Sequence, residues 1–311
     1  MKVFVTGATG VLGRPVVKSL IDEGHTVLAH ARSENAVAAL QPMGADPVTC
    51  DLFHSEQVKP HLDGCQAVLH LATSIPKTPD IKKADAWRQN DRLRTDATAA
   101  LVEAATETAS VNTFVYPSVC FMYSDHGSNR VDAGSAKSTP VGILHSTLDA
   151  ERSVADFDQS DASRVGVSLR FGIFYGPSSR DSADVIKFAR KGLALPLAQR
   201  QAYKSMIWID DAANAVIAAL KLNDGGVYDV VEDEPLTIAL SITALAEAVG
   251  RAKIRSLPRF MLRFLLTPEL REMMGRSQRV DASRFKSLTG WAPQVPSQRE
   301  GWKILQRTFE A

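Results

Sequence analysis

Residues 1–13 read MKVFVTGATGVLG, an apolar run followed by three glycines at a spacing of three. The run KVFVT predicts a β-strand, and the apolar periodicity beyond it predicts a helix over about 11–23. Glycine at each of the three positions permits a tight turn and a close approach of the backbone to a ligand. Strand, turn and helix in this order predict a pyrophosphate-binding turn formed by Gly7, Thr9, Gly10, Val11, Leu12 and Gly13.

The segment AHARSE (29–34), at the end of the second predicted strand, bears on the choice of dinucleotide. An acidic residue there would bind the ribose 2′-hydroxyl of NAD, whereas an arginine accommodates the 2′-phosphate of NADP. Arg32 and Ser33 offer a cation and a hydroxyl donor, which favours NADP(H) over NAD(H). The alternative is that Arg32 is a solvated surface residue. Further cofactor contacts are expected at the ends of the third and fourth strands, from Asp51, Leu52, Leu71, Ala72 and Thr73.

Short β-rich runs alternate with helical patterns along the chain, including a long helical pattern near 84–108. Such alternation predicts right-handed βαβ units and a parallel sheet covered by helices on both faces, a doubly wound α/β fold. After LRFGIFYGP (169–177) the pattern loosens, which suggests a smaller lobe. We expect a dinucleotide-binding core over 1–172, completed by about 205–231, and a substrate-binding lobe from 173–204 and 232–311.

The composition argues against several classes of partner. The chain has 36 lysines and arginines against 35 aspartates and glutamates, without a basic block, so it lacks the charge pattern of a protein that binds nucleic acid or an anionic membrane. Its three cysteines form no C-x-x-C pair and fit a reducing compartment. Its seven histidines show no metal-ligand spacing. We therefore expect a cytoplasmic protein with a small-molecule substrate and no metal.

Several segments together resemble the extended short-chain dehydrogenase/reductase family, which includes the NAD-dependent epimerases and dehydratases. They include TGATGVLG (6–13), AVLHLAT (67–73), LRFGIFYGP and MIWIDDAANAVIAAL (206–220). The resemblance covers nearly the whole chain. It implies a Rossmann-type core, a C-terminal substrate-binding lobe and a homodimer built from two long helices per subunit. It also implies that Gly172 borders the nicotinamide, and that Tyr175 either lines the substrate pocket or packs at the hinge of the lobe.

The stretch VGILHSTLDAE (141–151) departs from this family. Relatives use a serine or threonine, a tyrosine acid/base, a lysine four residues later and a helical asparagine. Ile143 and Thr147 stand at the positions of the tyrosine and the lysine. Arg94 lies near the asparagine position, with Asn90 one turn earlier as an alternative. None of the five tyrosines is followed four residues later by lysine, so the sequence argues against the ordinary tyrosine mechanism.

Three residues are candidates for the missing acid/base chemistry. Ser118 matches the family serine within one residue and could orient a carbonyl group. Tyr123 is either a replacement acid or an aromatic wall of the pocket. His145 is either a replacement acid/base or a surface or capping residue.

The expected function is an NADP(H)-dependent oxidoreductase of the short-chain dehydrogenase/reductase type. Its substrate would be a small organic metabolite with an activated acceptor, such as an enone or iminium, reduced with a non-standard proton donor. Phe260, Met261, Phe264, Met273 and Met274 hint at an apolar ligand, although core packing explains the same residues. The alternatives are a non-redox enzyme on the same fold, such as an isomerase, dehydratase or cyclase, and a cofactor-binding regulator without turnover.

Overall fold

A parallel sheet of seven strands runs through the part of the chain that the structure describes. The structure is a computed structural model that covers residues 1–76, 80–194, 198–256 and 259–310, without the side chains of residues 259 and 265. The strands of the sheet are β1 (Lys2–Thr6), β2 (Thr26–His30), β3 (Asp46–Val48), β4 (Ala67–His70), β5 (Thr113–Val119), β7 (Val165–Phe171) and β12 (Gly226–Val230).

The order of these strands is β12-β7-β5-β4-β1-β2-β3, so the chain reverses its direction across the sheet between β1 and β4. In the register of the central strands, Val3 pairs with Val27 on one side and with Ala67 on the other. Open α/β sheets bind ligands at such a switch point, beyond the carboxyl ends of the strands. The glycine turn that follows β1 therefore lies at the edge where a ligand is expected.

Helices cover both faces of the sheet. The helices are α1 (Gly13–Asp22), α2 (Glu34–Leu40), α3 (Ser55–Leu62), α4 (Ala84–Arg94), α5 (Asp96–Thr106), α6 (His145–Gln159), α7 (Arg180–Arg190), α8 (Ile209–Ala219), α9 (Ile238–Ala248), α10 (Leu262–Leu265), α11 (Pro268–Gly275), α12 (Ser283–Thr289) and α13 (Gln298–Thr308). Among the described residues, no helix is both long and apolar enough to cross a membrane.

Alternation along β5 divides the core into two layers, because successive side chains of a strand point to opposite faces. Phe114 and Tyr116 belong to the cluster that includes Phe157 of α6. Val115 belongs to the cluster on the other face, with Val216 of α8. Both faces are buried, as expected of a doubly wound sheet. The predicted fold class, a Rossmann-type α/β fold with a smaller lobe, is confirmed.

The smaller lobe has its own apolar cluster, which includes Tyr175, Trp208, Trp302 and Leu305. The remaining strands are short: β6 (Arg130–Val131), β8 (Ile173–Tyr175), β9 (Leu193–Ala194), β10 (Tyr203–Lys204), β11 (Met206–Trp208), β13 (Leu236–Thr237), β14 (Arg255–Ser256) and β15 (Arg279–Val280). They form two-stranded pairs, β8 with β11, β9 with β14, β10 with β13 and β6 with β15.

The prediction of a single long helix near 84–108 is wrong, because the helical structure is interrupted between α4 and α5. Thr95 has φ −90° and ψ −75°, and its hydroxyl donates to the carbonyl of Asp91 at 3.0 Å. A threonine side chain that bonds back to the carbonyl four residues earlier favours a bend in a helix. The break places Arg94 at the end of α4, which matters for the site below.

Candidate functional site

The turn after β1 packs closely against the end of β4. Gly7 has φ +67°, and a Cβ on it would lie 2.6 Å from backbone atoms of Leu71 and Ala72. A Cβ on Gly13 would lie 2.1 Å from the carbonyl oxygen of Gly7. Both positions therefore exclude any side chain, and the turn stays close to the sheet.

The N-terminus of α1 offers free hydrogen-bond donors. The Gly10 N–H donates to the Gly7 carbonyl at 2.9 Å, and Arg14 Nε donates to the Thr9 carbonyl at 3.0 Å. No side chain caps the helix. At the start of α1, the backbone N–H groups of Val11, Leu12 and Gly13 have no acceptor among the described residues. Free N–H groups at the positive end of a helix dipole fit the pyrophosphate of a dinucleotide.

Arg32 and Ser33 follow β2 and are both exposed. The Ser33 hydroxyl accepts a hydrogen bond from the Ala36 N–H at 3.3 Å and so caps α2, which leaves its own O–H free to donate. Asp51 is exposed and accepts from the Phe53 N–H at 3.0 Å, while Leu52 is buried. The structure therefore leaves an exposed cation and hydroxyl at the edge of the sheet where the sequence predicts the adenosine ribose.

A buried histidine fixes the end of β4. His70 Nδ1 and the Thr6 hydroxyl are 2.7 Å apart, and His70 Nε2 lies 3.1 Å from the Leu93 carbonyl. Burial lowers the pKa of His70 to about 4, so the ring is neutral at physiological pH. The Thr6 hydroxyl also accepts from the Ala72 N–H at 3.3 Å, and Thr73 is exposed just beyond. These bonds hold the segment predicted to pass beneath the cofactor.

Gly172 contacts protein backbone. It is buried, and a Cβ there would come within 2.8 Å of the Ser205 carbonyl oxygen and 3.0 Å of Met206 Cα. The glycine lets the segment after β7 pack against β11. Its contact with a nicotinamide stays a prediction.

Ser118 is buried near the end of β5, and its hydroxyl donates a hydrogen bond to the Glu151 carboxylate of α6. Glu151 also accepts two hydrogen bonds from Arg170 of β7, from Nε at 2.8 Å and from Nη2 at 2.6 Å. The Arg170 and Glu151 side chains are 4% and 5% exposed, so this is a buried ion pair. Because the Ser118 hydroxyl donates its proton to the Glu151 carboxylate, it does not donate a hydrogen bond to a substrate carbonyl in this arrangement.

Tyr123 lies in the core, which corrects the prediction of a replacement acid. The side chain is fully buried, and its hydroxyl donates to the carboxylate of Asp229 at 2.7 and 2.9 Å. Burial and the nearby Asp229 charge raise the pKa of the phenol well above its ordinary value. Arg170 stacks over the ring, with its guanidinium carbon 5.0 Å from the ring centre. The phenol is therefore neither accessible nor acidic enough to protonate a substrate.

The structure also assigns places to the two weaker candidates. His145 begins α6 and is exposed, which agrees with the surface alternative. Tyr175 is 1% exposed and packs at 5.3 Å, edge to face, on Trp208. Its hydroxyl donates to Glu232 at 3.1 Å. Tyr175 therefore belongs to the core of the lobe, which agrees with the packing alternative and not with the pocket-lining one.

Apolar side chains occupy two positions where the family resemblance implies catalytic groups. Val119 stands four residues before Tyr123, where relatives have the serine, and Ile143 stands at the tyrosine position. We call the cluster that contains them the apolar wall. Its members include Trp87, Val119, Met122, Ile143, Leu144, Leu148, Leu270, Met273 and Met274, from α4, β5, α6, α11 and the segments after β5 and before α6. The wall supplies no proton donor. Phe260 and Phe264, by contrast, are exposed.

Three buried polar groups near the wall were not identified as a site from the sequence. Arg94, Tyr116 and Thr147 all carry nitrogen or oxygen atoms that are buried without a hydrogen-bond partner among the described residues. Asn90, the alternative for the family asparagine, accepts from the Ser74 N–H at 3.1 Å and so holds the segment after β4. A possible sequence signal was the spacing of Trp87, Asn90 and Arg94, which puts all three on one helix face.

Comparison with known proteins finds similar proteins over most of the chain. A model of the NAD dependent epimerase/dehydratase family matches residues 3–231. A Streptomyces protein named 3-diazoavenalumate denitrifying reductase is 29% identical over 312 residues, which cover 97% of this chain and 99% of the relative. A 2-alkyl-3-oxoalkanoate reductase of Shewanella oneidensis is 31% identical over 271 residues, with 79% of this chain and 66% of the relative covered.

Solved structures share the fold at lower sequence identity. A human epimerase family protein, crystallised with NADPH, superposes with a TM-score of 0.81 at 20% identity and 99% coverage of both chains. A UDP-N-acetylglucosamine 4-epimerase from Bacillus cereus superposes with a TM-score of 0.77 at 21% identity, over the full length of both chains. The common fold thus includes the later segments that build the smaller lobe.

Proposed function

The chain belongs to the NAD dependent epimerase/dehydratase family, and we propose that it is an NADP(H)-dependent reductase whose substrate accepts hydride without a proton from the protein. The observation that carries this proposal is the apolar wall, with Val119 and Ile143 at two catalytic positions of the family. Ser118 and Tyr123, the expected replacements, are both bonded to buried carboxylates. Relatives named as reductases support the reaction type.

The residues of the turn fit a dinucleotide. Gly7 and Gly13 leave no room for side chains, and the free N–H groups at the start of α1 suit a pyrophosphate. Arg32, exposed beside Ser33, suits a 2′-phosphate. When bound, the reduced nicotinamide supplies a hydride. The wall of Ile143 and Val119 excludes water from the face of an apolar substrate and aligns it.

The acceptor we propose is a cationic carbon–nitrogen group, above all an arene diazonium. Hydride addition to its ring carbon forms a C–H bond, and the C–N bond breaks with its electron pair leaving in N₂. No proton is consumed, in contrast to the reduction of a ketone, whose alkoxide must be protonated. The Streptomyces relative is named for the denitrifying reduction of a diazo compound, which supports this choice. An iminium group also meets the requirement.

Isotope labelling tests the proposed transfer. The protein would be incubated with 4-carboxybenzenediazonium and NADPH deuterated on the transferred position, and the benzoate product analysed by mass spectrometry. We expect one deuterium in each product molecule, and none when ordinary NADPH is used in D₂O. Samples without protein measure direct reduction of the diazonium. Turnover with an unchanged cofactor would instead support the non-redox alternative, and absence of any product above that control would contradict the proposal.

The cofactor preference has its own prediction. Arg32→Ala removes the cation expected to pair with the 2′-phosphate, a charge-assisted contact. Calorimetric titration should show NADPH binding weakened by about tenfold or more and NADH binding unchanged. Arg152→Ala is the control, since Arg152 is an exposed arginine of α6, outside the turn and the segment after β2. Equal losses for both nucleotides in Arg32→Ala would contradict the proposed role.

A further inference from the structure

A buried guanidinium without a partner ends α4. Arg94 is 6% exposed, and its Nε and Nη1 atoms are buried with no acceptor among the described residues. A buried charge left unpaired is strongly destabilising, so buried cations in folded proteins have acceptors. Arg94 therefore requires an oxygen or an anion that the described residues around it do not supply.

Two hydroxyl groups share this condition. The hydroxyls of Tyr116 on β5 and Thr147 on α6 are buried without partners. The Tyr116 ring lies beside His70, with ring centres 6.1 Å apart, and His70 Nε2 is 3.1 Å from the carbonyl oxygen of Leu93, the residue before Arg94. Thr147 precedes Glu151 by one helical turn, on the face of α6 that meets β5. Arg94, Tyr116 and Thr147 thus converge between α4, β5 and α6.

Two carboxylates of α4 and α6, those of Asp91 and Glu151, already accept hydrogen bonds from other side chains. Glu151 accepts from Ser118 and from two nitrogens of Arg170. Asp91 accepts from the Ser146 hydroxyl at 2.8 Å, a bond that ties α4 to α6. Donors therefore outnumber acceptors here, and the missing group is an acceptor with several lone pairs.

The apolar wall includes residues of the same two helices, α4 and α6. Trp87 lies two turns before Arg94 on α4, and Ile143 lies one turn before Thr147. Leu148, the neighbour of Thr147, also packs in the wall. The region between α4 and α6 is thus apolar at one end and cationic at the other, which suits a molecule with an apolar body and an anionic end.

We propose that Arg94 and Thr147 bind the carboxylate of the substrate, whose apolar body lies along the wall. The assignment of this region to the substrate rests on the proposed function, whereas the need of Arg94 for an anionic partner rests on its burial alone. The substrate class is thereby an apolar, in particular aromatic, carboxylic acid. Arg94 is its anchoring cation, and Thr147 adds a neutral donor.

Equilibrium binding of benzoate tests this assignment without any hydride transfer. Benzoate and its neutral analogue benzamide would be titrated calorimetrically into the wild type and into Arg94→Met, Arg94→Lys and Thr147→Val. We expect benzoate binding to weaken by about tenfold or more in Arg94→Met and to recover partly in Arg94→Lys. Thr147→Val should weaken it by a smaller factor, and benzamide binding should not change. Arg88→Met, which removes an exposed arginine of the same helix, should behave as the wild type.

Three results would overturn the proposal. One is benzoate binding of equal strength in wild type and Arg94→Met. Another is a loss of NADPH affinity in Arg94→Met with benzoate binding intact, which would place the acceptor on the cofactor. The third is no benzoate binding to the wild type, which would leave water as the partner of Arg94. Should Arg94→Met fail to fold, benzoate binding by Arg94→Lys and Thr147→Val still tests the proposal, and affinities equal to that of the wild type in both variants would contradict it. If no acceptor is reduced yet benzoate binding depends on Arg94, the proposed function fails, and Arg94 remains a binding site for an aromatic carboxylate without its assignment to a reductase substrate.

Discussion

At the scale of single residues, partners distant in sequence decide which side chains are available for chemistry. Tyr123 was a candidate acid on its position after β5, but its hydroxyl is bonded to Asp229, 106 residues later in the chain. Ser118 is bonded to Glu151, 33 residues later. Local patterns predict the element that carries a residue, whereas its hydrogen-bond partner depends on the packing of several elements. The absence of the tyrosine–lysine pair, in contrast, was visible from the sequence, since it needs no knowledge of contacts.

Removal of the Tyr123 hydroxyl separates a structural role from a catalytic one. Tyr123→Phe leaves buried Asp229 with the Ala133 N–H, at 2.7 Å, as its other donor. The free energy of unfolding should fall by about 1–3 kcal/mol, the cost of an unsatisfied buried acceptor. Hydride transfer from NADPH should change by less than about twofold, against the 10²–10⁴-fold typical of a lost general acid. Urea denaturation and single-turnover kinetics measure the two effects, and a large kinetic loss in a stable variant would return Tyr123 to the mechanism.

At the scale of elements, the sequence predicts strands and helices well where apolar periodicity is strong, and fails where a side chain changes the backbone. The glycine turn and α1 lie where the sequence predicts them. The break at Thr95 depends on one side-chain hydrogen bond, which periodicity does not report. Glu151 ends the stretch 141–151 that was compared with the family, yet its pairing with Arg170 of β7 depends on the packing of α6 on the sheet.

The Glu151–Arg170 pair makes the attachment of α6 testable. Glu151→Gln leaves the buried Arg170 charge without its anionic partner, so we expect a loss of about 3–5 kcal/mol in the free energy of unfolding. A double variant, Glu151→Leu with Arg170→Met, should recover most of that loss because it buries no charge. Urea denaturation of the two variants and the wild type gives the comparison. If Glu151→Gln were as stable as the wild type, the Glu151–Arg170 pair would not hold α6 on the sheet.

At the scale of the whole molecule, the alternation of strands and helices sufficed to predict the doubly wound sheet, because parallel strands buried on both faces have a strong apolar signal. The lobe was less predictable, since its strands are two or three residues long and pair across large sequence separations. Glu232 shows how core and lobe are joined. It follows β12, and its carboxyl group accepts from the Tyr175 hydroxyl at 3.1 Å and from Gln298 Nε2, at the start of α13, at 3.0 Å.

This junction should make stability depend on pH. Burial raises the pKa of Glu232 from its ordinary 4.5 to about 8. The folded protein therefore keeps a proton that the unfolded chain releases, and the associated stability is fully present below pH 4.5 and lost as the pH rises through about 8. Glu232→Gln should flatten the profile by up to about 1.4 kcal/mol per pH unit within that window. Urea denaturation of the wild type and Glu232→Gln at a series of pH values measures this difference. Parallel curves of the free energy of unfolding against pH for the two proteins would contradict the role of Glu232.

The residues at the ends of α4 and α6 carry an evolutionary consequence. The family resemblance implies a lysine where this chain has Thr147, and it places Arg94 near the position of the family asparagine, with Asn90 one turn earlier as the alternative. A chain that lost the lysine before it gained the arginine would have had no cation at this place, whereas a chain that gained the arginine first would have had two. The two orders of substitution therefore lead through intermediates of different charge.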